Sequence, residues 1–428
     1  MKKIVLTAVL WSIAISVSFA QAESQASNGS VYSRIGVGYP VETANTSAGS
    51  MGILGVSYND IPIGNLSNPA HWGSTIYGLG SGGLNIQSFS AEQNGNTATS
   101  SNFSVNNFQL QFPIIREKLG ISGSFTPLTR SNFSAVQNNT RFVSRGSTQD
   151  TLQYRIKNEG TGGSNRAELG IGWQINKNIA IGYAASAVFL SQDNYYSAIF
   201  NSGSYRPINY RFETSGIGFG NRVGTLINLP SLFSEEDELS IGLTVDLPVT
   251  INATKKQVSE AIVQAPDPIN LGDGEVKMPM KMTGGISYRP SNLTLIAVEG
   301  LYQDWSNYSN DFSSTQGNAN FVNRYKVGVG MQYYPYRSGS DKFLSYFKYR
   351  FGGSYDTGHL RLRGNRINTL KFSLGLGIRS PSSNSSVDLG LEYGFRGTNS
   401  SNLVKEQIWG VSLTLNLTEI MFFRPKLQ

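Results

Sequence analysis

Leu370-Lys371-Phe372-Ser373-Leu374-Gly375-Leu376-Gly377-Ile378-Arg379 places an apolar residue at every even position and a small, polar or basic one at every odd position. Successive side chains of a strand point to opposite faces, so this stretch has one bulky apolar face and one polar or glycine face. The device recurs in Ala167–Ile175, Val387–Arg396 and Trp409–Leu417. A soluble sandwich would hide its apolar face and carry Lys, Glu and Thr outside. Here the polar face is largely Gly, Ser and charges of both signs, and aromatics sit at the ends of the apolar face. That is the signature of a lipid-facing wall around a watered interior.

Composition agrees. Charged residues make up 15% of the 428, while Gly numbers 47 and aromatics reach 11%. A disordered chain would lack those aromatics. A helical membrane protein would need apolar runs of about 18 residues, which the chain lacks beyond its first residues. There is no Cys, which excludes a lipoprotein anchor, a disulfide framework and thiolate metal sites. The formal charge of +7 is dispersed, with no basic run longer than Lys255-Lys256 after the N-terminus, so no nucleic-acid partner is expected. Lys2 and Lys3, the apolar stretch Ile4–Val17 and the small residues Ala20 and Ala22 read as a signal peptide over 1–22. The alternative, a membrane anchor, is disfavoured by the short stretch and its Ser/Gln/Glu flank.

From about residue 75 the alternating segments are separated by connections of two kinds. Short ones are expected at 116–118, 176–178, 289–292, 335–341 and 380–386. Longer ones rich in Asn, Ser and Gly are expected around 91–101, 127–165, 191–208, 252–274, 307–322, 355–366 and 397–403. Such an arrangement gives about fourteen strands, an even number that suits closure. The expected fold is all-β, a transmembrane antiparallel β-barrel over 73–428, multi-pass in the outer membrane and bathed in its lipid. Residues 23–72 show neither period. Irregular backbone cannot sit in lipid, and a barrel this wide cannot fill itself, so the segment is expected to plug the lumen.

Tyr58-Asn59-Asp60 and Asn65-Leu66-Ser67-Asn68-Pro69-Ala70, behind the Gly/Ser/Ala-rich stretch Ser33–Gly55, resemble the hatch of the FadL/TodX family of outer-membrane hydrophobic-compound transporters. Met278-Pro279 ahead of Gly284-Gly285-Ile286, Tyr302-Gln303-Asp304-Trp305-Ser306 and Arg324-Tyr325-Lys326-Val327-Gly328 resemble later strands of that family in the same order. Two features depart from it: the tail Phe422-Phe423-Arg424-Pro425-Lys426, and a longer run before the Asn-Pro-Ala corner. The resemblance implies passive uptake of hydrophobic compounds such as long-chain fatty acids by a monomer, with lateral exit through the wall. It also implies that Asn68, Pro69 and Ala70 anchor the hatch beside a kinked third strand, although a purely structural corner accounts equally for the motif.

Pro127 lies where the third strand should run. It marks either the end of that strand or a gap in the wall, since proline cannot donate to a ladder. Glu168, Lys326, Lys371, Arg379, Asp388, Glu392 and Arg396 fall on the inner face, where most should pair. Lys326 is the candidate for a ligand carboxylate, by its face and by the resemblance. No catalytic residue, cofactor or metal site is expected, because His71 and His359 are isolated and there is no thiol. Three other readings remain: a surface or secretion-assembly partner built on the same barrel, an open porin, and a barrel hydrolase. The irregular 23–72 argues against the porin.

Overall fold

A computed structural model describes residues 29–419, apart from 43, 59, 61–62, 146–147, 202–204, 260–267, 313–318, 337–341 and 381–382. The expected signal peptide and the basic tail lie outside the described residues. The alternating segments form a closed antiparallel barrel of fourteen strands. They are β1 (Gly78–Gln93), β2 (Asn96–Ile115), β3 (Leu119–Pro127, resuming as Phe133–Arg145), β4 (Thr148–Gln174), β5 (Ile179–Phe200) and β6 (Ile208–Pro230). β7 (Glu238–Asp246 and Val249–Ser259), β8 (Ile269–Met278 and Lys281–Ser291) and β9 (Thr294–Gln303 and Ser309–Asn310) are each interrupted at one level. β10 (Arg324–Tyr333), β11 (Phe347–Asp356), β12 (Thr369–Arg379), β13 (Ser386–Gly397) and β14 (Lys405–Glu419) complete the wall. β14 closes on β1 from Gly78↔Glu419 to Glu92↔Lys405.

The register puts the quoted apolar faces outside. Leu370, Phe372, Leu374, Leu376 and Ile378 are exposed, as are Leu169, Ile171 and Trp173, while Thr369 and Ser373 are buried. This girdle of large exposed apolar side chains makes the chain a multi-pass outer-membrane protein.

Several stretches expected as long loops are strand instead. Residues 91–101 turn tightly at Asn94-Gly95, both at positive φ, and β3 to β6 run through most of 133–208. β4 has 27 residues and β6 has 23, where about 9–11 cross a membrane. On β4 the outward residues change from Trp173, Ile171 and Leu169 to Glu159, Lys157 and Arg155. Without lipid the apolar contrast fades, although the pairing continues. By the rule that short turns face the periplasm, the extended end is extracellular.

Residues 29–77 contribute short elements: a 3-10 turn at Val31–Arg34, a helical turn at Thr46–Gly49 and a second 3-10 turn at Pro69–Ser74. Val37, Met51, Ile53, Val56 and Trp72 are almost fully buried against the barrel strands.

Candidate functional site

Asn68 is fully buried and caps the turn that follows it, its Oδ1 accepting from the Ala70 amide at 3.0 Å. Its Nδ2 donates to the Val56 carbonyl and to the Thr225 carbonyl of β6, each at 2.9 Å. Pro69, at the first position of the turn, lacks the N–H that would be orphaned there. The corner rests on a row of glycines, Gly172, Gly182 and Gly224, which are register partners across β4, β5 and β6. A Cβ at Gly182 or Gly224 would overlap Pro69. Small residues at these three positions let backbone approach the wall this closely.

Charges tie the rest of the segment down. Glu299 of β9 accepts from the amides of Leu54 (2.7 Å), Gly55 (2.9 Å) and Ser57 (3.2 Å). Asp60 bonds Lys348 at 2.6 Å and faces Arg350. Burial opposes its charge, but these two cations hold its carboxyl well below the usual range. Arg222 donates to the Leu66 carbonyl at 2.8 Å. Glu406 of β14 accepts from Ser30 Oγ and the Val31 amide, each at 2.8 Å.

His71 Nε2 donates to the Val56 carbonyl at 3.1 Å, and burial pushes its imidazole down to about 4. An unfolded histidine titrates near 6.5. The lowered value means that the folded segment disfavours the proton. Its contribution is therefore full above about pH 6.5 and is lost as pH falls toward 4, amounting to about 3 kcal/mol. The protection factors of residues 68–74, exchange rates corrected for the intrinsic pH dependence of amide exchange, should fall by up to about a hundredfold between about pH 7.5 and about pH 4.5. His71→Gln, which cannot charge, should flatten that dependence; an unchanged slope would mean that another group governs it.

Beyond Phe108↔Phe125 no ladder pair joins β2 to β3 among the described residues. β2 from 96 to 107 pairs with β1, and the outer half of β3 pairs with β4. Between the two halves of β3 the chain bends inward, and Thr129–Arg130 pair with Tyr39–Pro40. The Val41 amide donates to the Leu128 carbonyl at 2.8 Å, and Thr129 Oγ1 donates to the Val37 carbonyl at 2.7 Å. Pro127 is buried at the start of this bend, still paired with Asn165. The inward pairing, and not the proline alone, accounts for the break. Two side chains reach across the seam: Arg130 to the Val105 carbonyl at 3.0 Å, and Asn132 to Asn102 at 3.4 Å. Ser30–Arg34 lie behind it, with Ser33 Oγ donating to the Asn132 carbonyl at 2.6 Å.

A cavity of about 160 Å³ runs inward from the seam to β10–β13, and Lys326 lines it. The other inner charges pair as expected. Lys371 bonds Glu392 at 3.0 Å, Arg350 bonds Asp388 at 2.6 Å, Arg222 meets Glu168 at 3.4 Å and Arg396 meets Glu406 at 3.6 Å. Arg379 bonds Asn384. Arg324 is shared by Asp356 and Glu42, and half-buried Lys326 makes no direct hydrogen bond or ion pair among the described residues but interacts electrostatically with Glu42, Asp356 and Glu392. A smaller cavity of about 60 Å³ lies beside the same bend, lined by Leu128, Val188, Val249, Met278 and Trp305 together with Arg166 and Asp246. Arg130, Glu42, Glu299 and Glu406 were not among the candidates from sequence. Their partners lie far away in the chain, so spacing carries no signal of them. Among the described residues no group of His, Asp and Glu could hold a metal.

A closed fourteen-strand barrel with a broken third strand and an N-terminal segment on its inner face has the fold of the FadL/TodX outer-membrane barrels. The profile of the BamG family matches residues 1–428, and the chain belongs to that family. No curated protein matches it by sequence. Among solved structures, a Pseudomonas aeruginosa FadL homologue superposes with a TM-score of 0.59 at 12% identity, over 89% of this chain and 99% of that one. The Ralstonia pickettii toluene transporter TbuX gives 0.55 at 15% identity, over 88% and 98%. The Pseudomonas putida toluene transporter TodX gives 0.54 at 13%, over 90% and 99%. At such identities the likeness concerns the fold.

Proposed function

We propose that this barrel is a passive outer-membrane channel for hydrophobic compounds with a polar end, long-chain fatty acids among them, and that it has no catalytic role. Residues 23–72 act as its hatch, held at Asn68, Pro69 and Ala70, and the exit is the β2–β3 seam beside Pro127. The observation that carries this reading is the interrupted ladder, with a cavity of mixed polar and apolar lining on one side of the inward bend and a more apolar one on the other. Lys326 receives the carboxylate. A route down a watered lumen would cost about 0.8 kcal/mol per methylene, which a sideways passage into lipid avoids. The channel names of the fold relatives agree with this reading.

The test exploits the lack of cysteine. In an Asn102→Cys/Asn132→Cys variant, a short bis-maleimide bridging the two sites should close the seam. Uptake of labelled long-chain fatty acid by dependent cells should then fall several-fold, with surface abundance unchanged. Uptake at the unbridged rate would sink the lateral route.

A second reading has its own support. The family name hints at an outer-membrane assembly link, and the extension of β3–β6 beyond the apolar girdle offers a surface for a partner. Stable co-purification with another outer-membrane protein, without fatty-acid uptake, would favour it.

A further inference from the structure

The inner face of β2 carries a row of amides where the N-terminal segment meets the wall. Asn107, Gln109 and Gln111 are 1%, 0% and 7% exposed, while Phe108 and Leu110 between them face lipid. Gln109 Nε2 donates to the Asn65 carbonyl and to Ser122 Oγ, each at 3.0 Å, and Gln111 Nε2 donates to Thr75 Oγ1. The rest of the row is idle. Both polar atoms of Asn107, Gln109 Oε1 and Gln111 Oε1 have no hydrogen-bond partner among the described residues. His71, which lines the same cavity as Gln111, adds its Nδ1 to them. A buried polar atom is costly unless something bonds it, and ordered water does so where there is room.

There is room at both ends of the row. At one end a cavity of about 40 Å³ is lined by Gln111, His71, Tyr58, Asp60 and Thr75. The Thr75 carbonyl accepts from the Glu117 amide of the short β2–β3 turn at 3.2 Å, which puts this cavity at the periplasmic rim. At roughly 10–15 Å³ per water it holds about three. At the other end lies the cavity of about 160 Å³, and Asn45 lines both. Asn107 and Thr414 lie together over Gly83, and the Thr414 hydroxyl donates to Thr46 Oγ1 of the larger cavity at 2.8 Å. Gln109 lies against Gly64 of the smaller one. From Asn107 to Gln111 the strand covers about 14 Å, at about 3.4 Å per residue.

We propose that a single file of water threads the barrel along the inner face of β2, past Asn107 and Gln109, and joins the outer cavity to the periplasmic one. Four of the five idle atoms are acceptors, which suits the O–H donors of water. Between the cavities the row offers amide dipoles and no charge. Asp60 at the lower end is bonded to Lys348, and Lys371 and Glu392 at the upper end are bonded to each other. An ion would shed its hydration there without a counter-charge, so the path passes water and holds ions back. This is a second activity, separate from the seam: it leads to the periplasm and needs no hydrophobic cargo.

The full-length barrel in lipid vesicles tests it by stopped-flow shrinkage in a sucrose gradient, with potassium flux as the companion measurement. Wild-type vesicles should shrink several-fold faster than protein-free ones and leak no more potassium. Asn107→Leu is the informative variant, because it removes no hydrogen bond among the described residues and puts hydrocarbon of similar volume in the path. It should lose most of the protein-dependent water flux, and Asn107→Ser should keep it. Heat-modifiable gel migration establishes that each variant is a folded barrel. Wild-type vesicles that shrink no faster than protein-free ones, or an Asn107→Leu barrel as permeable as the wild type, overturn the path. Potassium flux that Asn107→Leu abolishes overturns the exclusion of ions. Loss of fatty-acid uptake together with water flux in Asn107→Leu overturns the separation from the seam. Asn107-dependent water flux in a barrel that takes up no fatty acid upholds the path while the transport reading falls.

Discussion

Replacing Glu299 by alanine is expected to release residues 54–57 from the wall. That carboxylate is buried and accepts from three consecutive-turn amides and from Ser57 Oγ, so its loss orphans donors that water cannot reach. Buried unsatisfied groups cost about 1–3 kcal/mol each, so the local penalty is on the order of 3 kcal/mol or more. Hydrogen exchange over 54–58 should accelerate by roughly a hundredfold or more. The ladders of β8 and β10 on either side of Glu299 should stay protected, because the substitution removes none of their backbone bonds. Glu299→Gln keeps one acceptor and should fall in between. Unaltered exchange in the alanine variant would show that apolar burial of Ile53, Leu54 and Val56 suffices to hold the segment.

The second large effect belongs to the glycine row. A valine at 182 cannot share space with the Pro69 backbone, and on the side away from the wall the corner is tied to the Val56 carbonyl through Asn68 Nδ2 and His71 Nε2. Overpacking in a tight interior costs about 1–3 kcal/mol, and here moving the corner would also break both bonds of the Asn68 amide. Gly182→Val should displace residues 66–74 while β4, β5 and β6 keep their register. In planar bilayers, conductance should rise well above that of the wild type. Gly300→Val is the matched control, since nothing lies within 4 Å of a Cβ there. Equal conductance of the two variants would mean that the corner does not obstruct the pore.

The strands of the girdle were legible because lipid on one side and polar groups on the other impose a contrast at every second residue. Leu370–Ile378 and Trp409–Leu417 display it fully, and the count of fourteen follows from such segments. Above the membrane both faces meet water. There Tyr154, Ile156 and Phe200 sit among Arg, Lys, Asn and Ser, so strands read as loops. The inner charges were legible as a set, but not as pairs. Arg324 takes Glu42, which is 282 residues away, and that distance is invisible to any local pattern. The glycines were equally visible as a small face. What they cradle, the Asn68-Pro69-Ala70 corner on one row and Met51 against Gly330 and Gly352 on another, follows from the register alone.

The hold of Glu406 on Ser30 and Val31 joins residues 376 and 375 positions apart. Glu406 lies on β14, the last of the barrel strands described, and the same strand zips against β1, with Ala91 opposite Glu406. The first described residues and the final ladder are thus secured by one element. Contacts of such separation form slowly, because a long loop must close before they are rewarded. A folding chain therefore cannot complete the hold on residues 30 and 31 until β14 takes its place beside β1. The anchorage of residues 30 and 31 and the closure of the cylinder thus depend on the same strand, and a chain lacking β14 would forfeit both together while the Asn68 corner kept its own hold on β6.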